Sequence, residues 1–266
     1  MVLYQAILAY DGTDFLGFQR QRQGRTVQGV LESALRRLRW KEDAIRYAGR
    51  TDSGVHATGQ VIAFALDWRH GVQRLQRALN ALLPDDVAVR ALRPAPADFH
   101  PRYAAVGRRY VYYLYQAEAP VPHWRRYAWQ VIGAPVDGDR LHQAAALLPG
   151  RKDFAALGTP PLRHGTTVRT VYAARWYALG EGLWAFTVVA DAFLYRMVRR
   201  MVALQVAVAQ GQMPFAAWQQ ALEQPPNVPL QRLAPPQGLF LAEVCYSAKA
   251  LETCTATAPR WMGAVL

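Results

Sequence analysis

Two neighbouring segments of strand character in the second half of the chain restrict the fold more than any other feature. Segments 166–179 and 183–190 are rich in β-branched and aromatic residues, and Gly180-Glu181-Gly182 separates them. This spacing predicts a β-hairpin, because a short loop containing glycine joins two antiparallel strands. Helical and strand patterns alternate elsewhere, but the hairpin argues against a purely parallel sheet. We therefore predict an α+β fold with a mixed sheet.

The flanking sequence supplies further strands and helices. Val2–Tyr10 alternates with the period of a strand. Thr26 is suited to cap a helix, and Asp191 is suited to cap another from about residue 192 to residue 210. The first helix has an apolar stripe formed by Val27, Val30, Leu31, Ala34, Leu35 and Leu38. Its opposite, polar face contains Glu32, Arg36, Arg37 and Arg39.

Pro94-Ala95-Pro96 is the predicted boundary between two halves, since closely spaced prolines interrupt both strands and helices. We predict an N-terminal half over residues 1–103 and a C-terminal half over 104–246. Residues 247–266 show no clear period, and we interpret them as a mobile tail.

The charge of the chain indicates a polyanionic partner. The 266 residues include 31 Lys+Arg and 19 Asp+Glu, which gives a net charge of +12. Nucleic acids and anionic membrane surfaces both attract such a protein. No apolar run reaches transmembrane length, so we expect a nucleic-acid partner and no membrane association. A merely soluble surface, or a genome that favours arginine codons, remains an alternative explanation of the charge.

The metal-ligating residue types show no motif. Cys245 and Cys254 have no C-x-x-C spacing, and the six histidines are scattered. A disulfide between the cysteines stays open, although two free thiols fit a reducing cytosol better. We predict no metal site.

The segment 48–60 contains a single carboxylate, Asp52, together with Arg50, three hydroxyl residues and three glycines. Apolar stretches of strand character flank it on both sides. One interpretation is a simple turn, in which the Asp side chain binds nearby backbone N–H groups. The other is a site, in which a loop on a rigid base presents the carboxylate and the glycines let a ligand approach.

The second interpretation is supported because this segment resembles the signature of the TruA-type tRNA pseudouridine synthases. Matching blocks follow in the family's order over residues 1–246. They include Tyr10-Asp11-Gly12-Thr13, Leu79-Asn80-Ala81-Leu82, Phe99-His100-Pro101-Arg102-Tyr103, Arg109-Tyr110-Val111-Tyr112, Met197-Val198-Arg199 and Pro236-Gln237-Gly238.

The resemblance implies an isomerase that converts uridine to pseudouridine at positions 38, 39 and 40 of the tRNA anticodon stem-loop, without a cofactor. It further implies the pseudouridine synthase fold, with two similar halves whose sheets join edge to edge around a cleft. A cytoplasmic homodimer with tRNA as its partner is expected. A non-catalytic RNA-binding module of the same fold is the alternative function.

The same resemblance assigns the catalytic residues. Asp52 is implied as the nucleophile at C1′ of the ribose, since an Asp carboxylate is ionised at neutral pH. Arg199 is implied as its ion-pair partner, and Tyr110 as the residue that stacks on the target base. Arg196, Arg199 and Arg200 share one helical face, so a solvated or phosphate-binding cluster is the alternative. Tyr110 could equally be a core aromatic residue of a strand.

Other candidates for substrate binding lie outside this set. They are Arg50, Arg20, Arg22, Arg25 and His56. Two positions depart from the family pattern, because Arg200 stands where members commonly have Asn and Ala203 where they commonly have Gly.

Overall fold

The computed structural model describes residues 1–160, 165–180, 182–226 and 228–260. The strands in chain order are β1 (Val2–Tyr10), β2 (Arg46–Tyr47), β3 (His56–Leu66), β4 (Val87–Pro94), β5 (Gly107–Tyr115), β6 (Trp129–Gln130), β7 (Gly150–Asp153), β8 (Val168–Gly180), β9 (Leu183–Ala190) and β10 (Leu239–Cys245). The helices are α1 (Val27–Arg37), α2 (Val72–Leu82), α3 (Gly138–Ala146), α4 (Met197–Ala209), α5 (Phe215–Glu223) and α6 (Ala248–Ala256). Two short 3₁₀ turns span Ala155–Leu157 and Pro236–Gly238.

The contacts divide the chain into two compact units. The first contains Met1–Val106 and Phe240–Ser247, and the second contains Gly107–Leu239 and Ala248–Leu266. The sequence predicts a single division after residue 103, which would assign β10 to the C-terminal half. In the structure, all of β10 except Leu239 belongs to the first unit.

The first unit is built on a mixed sheet. Its strands lie in the order β4–β1–β3–β10, and β2 pairs with β3. Strand β1 is antiparallel to both of its neighbours, with Val2 opposite Leu66 of β3. Strand β10 is parallel to β3, with Phe240 opposite His56. The bounds of β1 agree with those predicted from its alternation.

Helix α1 begins where the sequence predicts, because the Thr26 side chain accepts a hydrogen bond from the Gly29 amide. Most of the predicted apolar stripe is buried, including Leu31 and Leu35. Glu32 is an exception to the predicted polar face, since its side chain is fully buried. The prediction that Glu32 is exposed is therefore wrong, and its partners are described below.

The second unit contains the strand order β5–β9–β8–β7, with each pair antiparallel. Strands β8 and β9 form the predicted hairpin, in which Gly180 pairs with Leu183. Helices α3, α4, α5 and α6 belong to this unit. The parallel and antiparallel pairs together with these helices confirm the predicted α+β class.

Two predictions in the second unit are wrong in detail. The Asp191 carboxylate accepts hydrogen bonds from the Thr170 and Ala192 amides, and helix α4 starts only at Met197. Residues 192–196 therefore form a connecting segment rather than helix. The predicted tail contains helix α6, whose Cys254 is buried, while residues 261–266 lie outside the described part of the chain.

Neither Cys245 nor Cys254 is a free thiol in the structure, so the preference for free thiols is wrong. In the described ranges, every helix is too short or too polar to cross a bilayer.

Candidate active site

The predicted nucleophile Asp52 lies half-buried on the loop between β2 and β3. Strand β3 fixes the start of this loop at Gly49. The side-chain amide of Gln60, a buried residue of β3, donates a 2.8 Å hydrogen bond to the Gly49 carbonyl. A tight turn closes it, with the Val55 amide donating to the Asp52 carbonyl over 3.2 Å. The loop thus has a rigid attachment at each end.

The loop that follows β1 holds the Asp52 loop from another side. The Phe18 amide donates to the Thr51 carbonyl over 3.1 Å, and the Gly54 amide donates to the Phe15 carbonyl over 3.3 Å. The Tyr10 hydroxyl is 2.8 Å from the Thr51 hydroxyl in the interior. These bonds connect the residues on either side of Asp52 to a second segment of backbone.

Two glycines allow these segments to approach so closely. A Cβ atom at Gly12 would lie 2.0 Å from the Val55 carbonyl oxygen. At Gly17 it would lie 2.8 Å from the Thr51 carbonyl oxygen, and the φ of Gly17 is +96°. Both contacts are with backbone atoms, so a larger residue would displace the Asp52 loop.

A buried carboxylate joins α1, the loop after β1 and the segment before β2. Glu32 accepts hydrogen bonds from the Arg20 guanidinium, from the Gln28 amide over 2.8 Å and from the Ile45 backbone amide over 3.3 Å. The Arg20 guanidinium also donates to the Asp43 carbonyl. The charge of Arg20 is thus compensated within the protein, although the Arg20 side chain stays about half exposed.

Arg25 is paired in a similar way. Its guanidinium forms a bidentate ion pair with Asp86, with N–O distances of 2.5 and 2.7 Å, and lies 4.0 Å from the centre of the Phe15 ring. Arg22 is exposed and has no hydrogen bond or ion pair with any described residue. Of the three arginines predicted to bind RNA in this loop, Arg22 is the one available for a new contact.

The other two predicted residues of the first unit differ in exposure. Arg50 is exposed, and its Nε donates to the Tyr47 hydroxyl over 3.3 Å. His56 is fully buried, with its Nδ1 accepting from the Gly12 amide over 3.0 Å and its ring stacked on Phe240. The burial of His56 counts against the predicted contact of its ring with RNA.

Tyr110 lies in the second unit on β5, where its half-buried ring makes an edge contact with Phe193 at 4.9 Å between centroids. The other tyrosines of this strand, Tyr112, Tyr113 and Tyr115, are buried. Burial raises the pKa of Tyr113 to about 12. Tyr110 is thus the most accessible tyrosine of the strand.

Arg199 lies in the first turn of α4 and is held by backbone. Its Nε donates a 2.8 Å hydrogen bond to the Ala234 carbonyl, and the Ala234 amide donates to the Arg199 carbonyl. The Tyr112 hydroxyl donates to the adjacent Pro235 carbonyl over 2.8 Å. Burial raises the pKa of Tyr112, and the charge of Arg199 opposes this shift. One segment of backbone therefore positions both side chains.

Sequence reasoning missed two polar residues that join separate segments of the first unit. Glu32 and Gln60 act through contacts with distant segments, which periodicity does not reveal. The one available signal was a polar residue inside an apolar stretch, as with Gln60 in β3.

These features define a class of protein: a basic α+β chain that presents one carboxylate on a braced loop. A family model described as "tRNA pseudouridine synthase" matches residues 6–104 and 144–247. The chain belongs to this tRNA pseudouridine synthase family.

Full-length relatives support the assignment. The chain is 41% identical over 246 residues to tRNA pseudouridine synthase A of Chloroflexus aurantiacus, which covers 90% of this chain and 87% of the relative. It is 38% identical to the protein of that name from Lactiplantibacillus plantarum, covering 94% of this chain and 96% of the relative.

For the Geobacter sulfurreducens protein of the same name, the identity is 40%, with 90% of this chain and 97% of the relative covered. A crystal structure described as a Cbf5–Nop10–Gar1 complex matches 77% of this chain and 45% of that chain, with 14% identity and a TM-score of 0.36. That similarity is too low to support an argument.

Proposed function

We propose that this protein isomerises uridine to pseudouridine at positions 38, 39 and 40 of the tRNA anticodon stem-loop, without a cofactor. The observation that supports this most strongly is the Asp52 loop. A carboxylate that must meet C1′ of a ribose needs a fixed position, and backbone hydrogen bonds attach the residues around Asp52 to β3 and to the loop after β1.

The reaction rearranges one nucleotide and needs no second reactant. We propose that the Asp52 carboxylate attacks C1′ as the C1′–N1 bond breaks, so that uracil leaves with the bonding electrons. After the base rotates, C5 bonds to C1′ and the carboxylate departs. C5 then loses its proton and N1 gains one, so the product is an isomer of the substrate.

The remaining roles follow the family resemblance. Arg199 is proposed as the ion-pair partner of Asp52, and its hydrogen bond to the Ala234 carbonyl fixes the guanidinium at Nε. Tyr110 is proposed to stack on the flipped base, which is worth about 1–3 kcal/mol and offsets the cost of unstacking. The exposed Arg50 is proposed to occupy the space that the base leaves.

The cellular setting is also a proposal. We place the protein in the cytoplasm, where tRNA is modified, and propose that it acts as a homodimer. Sedimentation of the purified protein at micromolar concentration tests the dimer, since a monomer mass would contradict it.

The experiment that tests the function maps pseudouridine in unmodified tRNA after incubation with the purified protein. Wild type should modify positions 38–40, whereas Asp52→Asn should bind tRNA with unchanged affinity and form no product. The amide is nearly isosteric but lacks the charge needed at C1′.

The exposed Asp98 provides a matched control, because Asp98→Asn removes a carboxylate that is not part of the Asp52 loop. Turnover by Asp52→Asn would show that another group reacts with C1′. An inactive wild type that still binds tRNA would favour the non-catalytic RNA-binding module.

A further inference from the structure

Arg200 lies next to Arg199 in the first turn of α4, and its guanidinium contacts three carbonyl groups. Nε donates to the Leu230 carbonyl over 3.2 Å. One terminal nitrogen is 3.2 Å from the Tyr195 carbonyl and 3.4 Å from that of Leu157. The side chain is only partly exposed. It therefore connects three separate segments of the second unit.

These segments also bind one another at the same place. The Tyr195 amide donates to the Thr159 carbonyl, and the Leu230 amide donates to the Ala156 carbonyl, each over 2.9 Å. Three segments thus meet beside Arg200: the 3₁₀ turn Ala155–Leu157, the residues just before α4 and the segment after α5. A guanidinium suits such a junction, because its five N–H donors point in fixed directions.

Arg199 is bound to the backbone close to this junction. Arg199 donates to the Ala234 carbonyl, and Ala234 lies four residues after Leu230. The side chains of Arg200 and Arg199 therefore bind the same short backbone segment, at Leu230 and at Ala234. The start of α4 also needs support, because Arg196 there has a φ of 62°, a left-handed conformation that is unfavourable for a residue with a Cβ.

An asparagine at this position could not make the same contacts. Its amide has two N–H donors on a short side chain, whereas Arg200 reaches carbonyls in three segments. The connection between these three segments therefore requires the long, multiply donating side chain of Arg200.

We propose that Arg200 is a positioning residue that fixes the guanidinium of Arg199 by bracing the backbone around Leu230 and Ala234. The proposal rests on the proposed function for the role of Arg199, but the bracing itself can be measured without catalysis.

The kinetic test compares Arg200→Asn and the milder Arg200→Lys with wild type on unmodified tRNA. Small displacements of a reacting group cost up to about 10²-fold in rate, so kcat should fall at least tenfold in both variants. KM should change less than twofold. Arg175→Asn is the matched control, since Arg175 is exposed on β8 and its side chain makes no hydrogen bond or ion pair with a described residue. It should leave kcat unchanged.

Two kinetic results would overturn the proposal. An unchanged kcat would show that Arg199 does not need the brace. A raised KM with unchanged kcat, and a salt slope smaller by about one, would identify Arg200 as a phosphate contact instead.

Hydrogen exchange separates this proposal from the proposed function. In Arg200→Asn the amides of Leu230 and Ala234 should exchange at least tenfold faster than in wild type, while Arg175→Asn should show no change. Equal protection in all three proteins would disprove the bracing even if the enzyme is active. An inactive wild type with faster exchange in Arg200→Asn would instead contradict the function and keep the brace.

Discussion

Glu32 is a buried carboxylate whose charge the protein compensates through neighbouring donors. The Arg20 guanidinium contacts one carboxylate oxygen, while the Gln28 side chain and the Ile45 amide contact the other. Together these residues join α1, the loop after β1 and the segment before β2. A residue on a predicted polar face thereby connects three segments of the first unit.

We expect Glu32→Gln to lower the free energy of unfolding by about 2 kcal/mol, because hydrogen bonds to a charged group are lost and an amide NH₂ would face a guanidinium. The larger loss typical of a fully buried ion pair is not expected, since Arg20 is about half exposed. Urea unfolding measures the change. The control is Glu223→Gln at the exposed end of α5, and an equal effect of the two substitutions would contradict this connecting role.

Arg199 offers a second test at the scale of one residue. Lys keeps the positive charge but lacks the planar fork, so it cannot bind the Ala234 carbonyl through Nε while presenting two further nitrogens. We expect Arg199→Lys to lower kcat at least tenfold, equivalent to about 1.4 kcal/mol of transition-state stabilisation. Single-turnover rates measure this, with Arg175→Lys as the control. Wild-type turnover by Arg199→Lys would exclude a role for the fork.

At the scale of elements, the contact between the loop after β1 and the Asp52 loop depends on glycine. Gly17 combines a φ of +96° with a Cβ position 2.8 Å from the Thr51 carbonyl oxygen. Gly49 begins the same Asp52 loop, yet a Cβ there would have no atom within 4 Å. The two positions therefore form a natural comparison.

We expect Gly17→Ala to destabilise the protein by about 2 kcal/mol, because a left-handed conformation with a Cβ costs about 1–2 kcal/mol and the backbone must also shift. Pseudouridine formation should fall with it even at temperatures where the variant is folded. Gly49→Ala should change stability by less than about 0.5 kcal/mol. Thermal unfolding together with the tRNA assay checks both variants, and similar stabilities of the two would show that the close contact is not required.

The elements show where sequence patterns are sufficient. Strand β1 and the cap of α1 were predicted because local alternation and the Thr26 hydroxyl determine them. The start of α4 was not predicted correctly. The Asp191 carboxylate, which was expected to cap this helix, binds the Thr170 amide, and Thr170 lies 21 residues away in the chain. The loop of Asp52 could be selected from its residues, but its supports could not, because they come from distant segments.

At the scale of the whole molecule, the total of 31 Lys+Arg overstates the cations available to RNA. Arg20 is paired with Glu32 and Arg25 with Asp86. A guanidinium already bound to a carboxylate neutralises a phosphate less effectively than an unpaired one. The distribution of charge therefore matters more than the total.

The dependence of tRNA affinity on salt tests this view. Each phosphate contact adds up to about 0.9 to the slope of log affinity against log salt, because bound counterions are released. We expect Arg22→Ala to lower the slope by nearly this amount, and Arg20→Ala and Arg25→Ala to lower it by less, since carboxylates already occupy their guanidinium groups. The loss in affinity should be similar for every tRNA, because a phosphate contact does not distinguish bases. Filter binding at several salt concentrations measures the slopes. Equal slopes for wild type and Arg22→Ala would remove Arg22 from the interface, and a flat titration of wild type would contradict a polynucleotide substrate altogether.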